Sequence, residues 1–292
     1  MTNGTLYPKA TLEEYGYHEY KALKLIWRIV RILLVLFTIT MLYLAVFVIA
    51  IQSFNSSDST TEFKGFTFNN YLTMFTSKPS LTDSIINTFM VSITATLIAA
   101  VLGTLVAIGI FYLPPRLKSK VMLLNNIPLL NADIVTGLSL MLIFSLLLPI
   151  NRHIFGFWTI LLAHIYFIFP YIILSVLPKL KEIDPNLMDA SMDLGIKPFT
   201  SVLKVIIPAI RGGIFSGIIL AFTISFEDFV VGYFTTGNGF NTLSIWIYAS
   251  IGKKSLDPAV YAFSTALTLV SIILIVLYVL FMKGRRGHAK KN

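Results

Sequence analysis

Twenty consecutive residues without a charge, ILLVLFTITMLYLAVFVIAI at positions 32–51, constrain this chain more than any other feature. As an α-helix they extend about 30 Å, the thickness of a bilayer's hydrocarbon core. The run is too long for a signal-peptide core and lacks a convincing cleavage site, so an uncleaved first span is expected. Uncharged runs recur at 85–113 and 260–282. Three more are interrupted: 134–150 with Asp133 at its edge, 157–177 with His164 and Pro170, and 212–234 with Glu227 and Asp228. The pattern predicts an all-α membrane protein with six transmembrane helices. It divides into an N-terminal segment at 1–31, a helical domain at 32–282 and a basic tail at 283–292.

Composition supports that class. Only 13% of the residues are charged, against about 25% in soluble domains. The net charge of +9 raises the possibility of nucleic acid, and the distribution of the cations decides against it. With both termini cytoplasmic, the inner segments hold 18 of the 23 Lys and Arg residues and the outer segments hold 5. That asymmetry is the positive-inside pattern. The tail KGRRGHAKKN then reads as a cytoplasmic anchor beside anionic membrane lipid. The chain has no cysteine, which excludes disulfides, a thiol nucleophile and cysteine-ligated metal. It has no G-x-x-x-x-G-K-[ST] phosphate loop, no His pair at metal-ligand spacing and no Ser-His-Asp arrangement. No catalytic residue, metal or cofactor is expected.

The loop at 178–211 is the one long water-compatible segment between spans. Asp184 suits a helix N-cap, Pro185 the first helical position and Gly195 the left-handed residue after a helix end. A short helix over 185–194 is predicted, with Leu187, Ala190, Ser191 and Leu194 sharing one face. A second helix is expected to start at Pro198 and to be interrupted at Pro208. The spacing alone gives a docking or interfacial element and leaves its partner open. A DNA-binding helix-turn-helix fits poorly, because the second helix is largely apolar.

Asp189-Ala190-Ser191, then Gly195, then Val205-Ile206-Ile207-Pro208 resembles the E-A-A-x3-G-x9-I-x-L-P loop of ABC importer membrane subunits. Asp189, Ser191, Val205 and Ile207 are conservative departures from it. SFNSS (53–57), GFTFNNY (65–71), ADIVTGLSLMLIF (132–144) and AFTISFEDFVVGYFTTG (221–237) look like the second membrane subunit of spermidine/putrescine importers. Iron, thiamine and phosphonate importers share parts of these patterns. The resemblance implies a type I ABC importer permease fold in a bacterial inner or plasma membrane. It implies cytoplasmic ATPase subunits, a second homologous permease subunit, an external solute-binding protein and a polyamine substrate. It also implies that Asp189, Ala190, Ser191, Leu194 and Gly195 couple the membrane domain to the ATPase. An ATP-independent carrier or channel, or a scaffold, would leave the loop spacing unexplained.

Asp133, Glu227 and Asp228 are the carboxylates expected at membrane depth. Each costs about 2.5–3.5 kcal/mol at mid-span, and no Lys or Arg lies inside a span to pair with them. They are expected to face a water-filled path suited to a cationic substrate, or else to cap helices. Glu227 and Asp228 would lie about 100° apart on a continuous helix, one toward the path and one structural. His164, beside Pro170, reads as a packing and kink residue. Tyr166, Tyr233 and Trp246 are candidates for cation–π contacts along the path.

Overall fold

The computed structural model describes residues 17–57, 62–74, 79–151, 154–237, 239–251 and 258–289, without the side chains of 17–22, 73, 274, 275 and 277–289. The start of the N-terminal segment and the side chains of the basic tail lie outside the described residues. Among the described residues the fold is helical. The one β feature is an isolated antiparallel bridge between Asn55 and Phe66.

Among the described residues twelve helical segments follow one another: α1 (Tyr17–Gln52), α2 (Asn69–Thr73), α3 (Pro79–Phe111), α4 (Pro115–Leu130), α5 (Asp133–Ser145), α6 (Phe157–Glu182), α7 (Leu187–Asp193), α8 (Pro198–Ala209), α9 (Arg211–Glu227), α10 (Val230–Thr235), α11 (Leu243–Ile251) and α12 (Pro258–Ala289). The chain divides into two units. One holds the residues up to Met74 and those from Asp257 onward; the other holds Phe75–Leu256. In the first, α1 packs along α12, and α2 lies against α12. The apolar side chains of α1 from Leu23 to Val48 are outward-facing, as expected of a helix whose solvent is hydrocarbon. A loop after α1 is tied by Asn55, whose amide donates to the Glu62 carbonyl at 2.8 Å and accepts from the Lys64 N–H at 3.2 Å.

The second unit is built on α3, α6 and α9, which pack pairwise. Facing residues differ in size. α3 offers Ala95, Ala99, Gly103 and Ala107, while α6 offers Ile168, Ile172, Val176 and Leu180. Ile172 is wedged between glycines of two neighbours. A Cβ on Gly103 would stand 2.8 Å from its Cγ2, and one on Gly217 of α9 would stand 3.4 Å from its Cδ1. Small residues permit this close backbone approach, which is how helices associate where no hydrophobic effect drives them together.

Three helices, α1 from Leu23 onward, α3 and α6, are each long and apolar enough to cross a bilayer. α4 with α5, and α8 with α9, meet that test only as bent pairs, at 102° and 74°. Several expectations are corrected here. The third run becomes helix only to Ser145, and 146–150 turns instead. α4 was not expected at all, because Arg116, Lys118, Lys120, Asn125, Asn126 and Pro128 keep its hydropathy low. The fifth run is not one helix, since it breaks at Asp228 and Phe229. The second loop helix passes Pro208 and ends at Ala209. Proline at 208 cannot donate to the Lys204 carbonyl, and its ring crowds that carbonyl. The chain accommodates it with a π-helical stretch at Val202–Ile206, where the Ile207 N–H reaches the Val202 carbonyl.

Candidate functional site

Asp133, Glu227 and Asp228 line one cavity of about 380 Å³, with Phe167, Tyr171, Ile224, Phe229 and Val230 completing its wall. Residues from three separate runs of the sequence therefore converge. None of the three acids sits in mid-helix. Asp133 opens α5, Glu227 closes α9 and Asp228 occupies the break before α10. Asp133 at the start of α5 and Asp228 against the first N–H groups of α10 meet free donors and the positive end of a helix dipole, which lower the cost of a carboxylate at depth. Glu227, at the C-terminal end of α9, lacks that compensation and is exposed. No Lys or Arg lines the cavity, so its field is negative.

Glu227 and Asp228 divide their work through the break, not through helical phase. Asp228 has extended backbone, φ −62° and ψ 134°. Its Oδ2 accepts the Gly232 N–H at 2.7 Å and its Oδ1 the Val231 N–H at 3.3 Å. It thus caps α10 and satisfies donors that a helix start leaves open. Its side chain is nearly buried, with 8% exposed. Asp133 and Glu227 are exposed along the cavity.

Behind Asp228 lies His164 of α6, which is buried. Its Nδ1 is 2.7 Å from Ser225 Oγ, and its Nε2 is 3.6 Å from Asp228 Oδ2. The ring packs edge-on against Phe167, with centroids 5.1 Å apart. The packing role expected of His164 is present, together with polar contacts that the sequence did not suggest. A Cβ on Gly232 would stand 3.1 Å from Asp228 Oδ2, so a larger residue there would push the carboxylate by a few tenths of an ångström. Ser225, Gly232, Phe167, Tyr171 and Phe229 were missed by sequence reasoning. The readable signal was an acid followed four residues later by glycine, a spacing that fits a cap in a broken helix. Tyr166, Tyr233 and Trp246 are not among the cavity-lining residues. Tyr166 faces an apolar groove with Pro128 and Pro170, Tyr233 faces another hollow, and the Trp246 indole donates to Ser80 at 3.1 Å.

The loop element is α7, shorter than expected by two residues at its start and one at its end. Asp184 accepts the Asn186 N–H at 2.9 Å and shapes the turn before it. Leu187 and Met188 pack on the core. Asp189, Ala190 and Leu194 are exposed, as is Phe199 nearby. Ser191 is corrected: it is buried, donates to the Met188 carbonyl at 2.7 Å and bonds the Ser201 hydroxyl. It therefore braces α7 against α8 instead of facing outward. Gly195 has φ +81°, and its N–H meets the Met192 carbonyl at 2.8 Å.

Residues 120–287 match the family described as "Binding-protein-dependent transport system inner membrane component". The chain is 30% identical over 253 residues to the spermidine/putrescine transport system permease protein PotC of Escherichia coli (strain K12), covering 85% of this chain and 94% of that one. It is 32% identical over 245 residues to the putrescine transport system permease protein PotI of the same organism, covering 82% and 84%. Among solved structures, a bacterial ABC transporter involved in the import of the acidic polysaccharide alginate superposes with a TM-score of 0.65 at 16% identity, over 92% of this chain and 99% of that chain. A structure of the alginate transporter in complex with a pentasaccharide-bound periplasmic protein gives 0.62 at 18% identity, over 90% and 94%.

Proposed function

Because the chain belongs to the binding-protein-dependent transport system inner membrane component family, we propose that it is the permease subunit of an ATP-driven polyamine importer in a bacterial inner or plasma membrane. The convergence of Asp133, Glu227 and Asp228 on one cavity without a basic residue carries this reading. Each ammonium of a polyamine is a compact cation with several donors. Carboxylates at a poorly hydrated site give such a donor its strongest hydrogen bonds. Phe167, Tyr171 and Phe229 add ring faces that attract a cation and the apolar chain between its charges. A negative cavity argues against an anionic substrate, although the solved alginate transporters share the fold.

The proposed arrangement has six spans: α1, α3, α4 with α5, α6, α9 with α10, and α12. Both termini are cytoplasmic, and α7 docks on an ATPase subunit through Asp189, Ala190 and Leu194. A second permease subunit completes the path, and an external solute-binding protein delivers the substrate. The membrane domain then exposes the acids to one side and afterwards to the other. The decisive experiment reconstitutes the whole complex with its solute-binding protein and measures ATPase stimulation. Spermidine or putrescine raises the rate, while iron, thiamine and phosphonate do not. Stimulation by one of those three in place of a polyamine would overturn the assignment.

Orientation has its own test. The absence of cysteine makes single Cys replacements clean probes in intact cells. Lys64→Cys reacts with an impermeant maleimide added outside, whereas Lys197→Cys reacts only after permeabilisation. Reversed labelling of the pair would invert the topology and remove α7 from the ATPase.

A further inference from the structure

We propose that His164 is a positioning residue for Asp228: one imidazole ties the last turn of α9 to the first residue of the break and fixes where the carboxylate is presented to the cavity. The inference rests on the acidic-path reading above. Ser225 belongs to the last turn of α9, and Asp228 is the first residue of the break that follows. His164 reaches both from α6, Ser225 through Nδ1 at 2.7 Å and Asp228 through Nε2 at 3.6 Å.

Three observations point to a role beyond filling space. Nε2 is fully buried and has no hydrogen-bond partner among the described residues. A buried donor without a partner is costly, and Asp228 Oδ2 is the acceptor it faces. A ring-nitrogen lone pair turned toward an ionised carboxylate oxygen would be repelled, so the tautomer with hydrogen on Nε2 and with Nδ1 accepting from Ser225 Oγ fits this pocket. The remaining gap is a few tenths of an ångström beyond a hydrogen bond, which a small ring rotation closes. Gly232 leaves room for that rotation, since even an added Cβ would stand 3.8 Å from Nε2. His164 also packs on Phe167, which itself lines the cavity. With Oδ2 held by the Gly232 N–H and directed by His164, Oδ1 keeps only the long Val231 contact. It is the oxygen with capacity left for a cation.

Paired variants separate this role from bulk packing. The glutamine amide reaches the place of Nε2, and the asparagine amide reaches the place of Nδ1. In the reconstituted complex, His164→Gln loses only the Ser225 contact and raises the KM of spermidine uptake about threefold, as Ser225→Ala does. His164→Asn raises KM five- to twentyfold at unchanged assembly, and it adds nothing further in an Asp228→Asn background. Equal KM for the Gln and Asn variants, or an additive His164→Asn effect, overturns the proposal. If neither variant assembles, Ser225→Ala decides, because it frees Nδ1 and leaves the ring. It raises KM at least threefold, and an unchanged KM overturns the proposal. Failure of the acidic path itself looks different: Asp228→Asn alone then takes up spermidine like wild type.

Discussion

Gly195→Val abolishes substrate-stimulated ATP hydrolysis by the assembled complex, while Gly195→Asn retains most of it. The two substitutions differ in backbone preference and not in fit. An added Cβ at residue 195 meets nothing within 4 Å, so steric exclusion by neighbours contributes nothing. What matters is φ +81°, a conformation glycine adopts freely and asparagine tolerates, but a β-branched residue resists. A left-handed backbone costs a residue with a Cβ roughly 1–2 kcal/mol, and α7 has only seven residues over which to resist the strain. Relaxing φ breaks the Gly195 N–H bond to the Met192 carbonyl and the Ile196 N–H bond to the Ser191 carbonyl. The exposed Asp189, Ala190 and Leu194 then leave their positions, while α3, α6 and α9 stay packed. Membrane insertion and thermal stability therefore stay close to wild type as ATPase stimulation disappears. Normal stimulation in Gly195→Val would mean that this turn does not transmit the ATPase stroke.

The long spans were legible because a bilayer demands uniform hydropathy over about 20 residues, and α1, α3 and α6 meet that demand without help. The breaks were not legible, for a related reason. Hydropathy averages over a window, so it merged Arg211–Glu227 with Val230–Thr235 and passed over α4, whose Lys, Arg and Asn residues dilute its leucines. The bend between α8 and α9 and the π-helical stretch before Pro208 depend on which carbonyl finds a donor, and a hydropathy pattern does not record that. Local chemistry was more informative than averages: Gly195 in a left-handed turn and Pro198 at a helix start follow from backbone geometry alone. The three acids were found because charge at depth is expensive. Their convergence was not legible, since Asp133 and Glu227 are 94 positions apart in the sequence. Ser191 misled because its spacing places it beside Ala190 on the outward arc, while its hydroxyl finds the Ser201 partner inside.

Neutralising the cavity acids produces the other large effect. Asp133→Asn, Glu227→Gln and Asp228→Asn each weaken spermidine uptake by roughly ten- to a hundredfold in KM. A hydrogen bond to a charged group is worth about 1.5–3 kcal/mol, and 1.4 kcal/mol is about tenfold. The structure makes Asp228 the most discriminating of the three, because its carboxylate also caps α10. Asparagine is as good an N-cap residue as aspartate, and its one amide oxygen can keep the short Gly232 bond while giving up the long Val231 contact, so Asp228→Asn deletes the charge and keeps most of the cap on α10. Asp228→Leu deletes both, and losing the cap costs a further ~1 kcal/mol while leaving two buried N–H groups without acceptors. The asparagine variant therefore assembles normally and transports poorly. The leucine variant also loses yield or thermal stability. Asp133 stands in the first turn of α5, where the helix dipole favours an acid by about 0.3–1 kcal/mol, so Asp133→Asn and Asp133→Leu lose little stability and are equally impaired in uptake. Binding of spermidine by the isolated solute-binding protein is unchanged throughout, which separates a path defect from a delivery defect. Wild-type KM in Asp133→Asn and Asp228→Asn together would leave the acids as helix-end residues only, and the cationic path would have to be sought elsewhere in the complex.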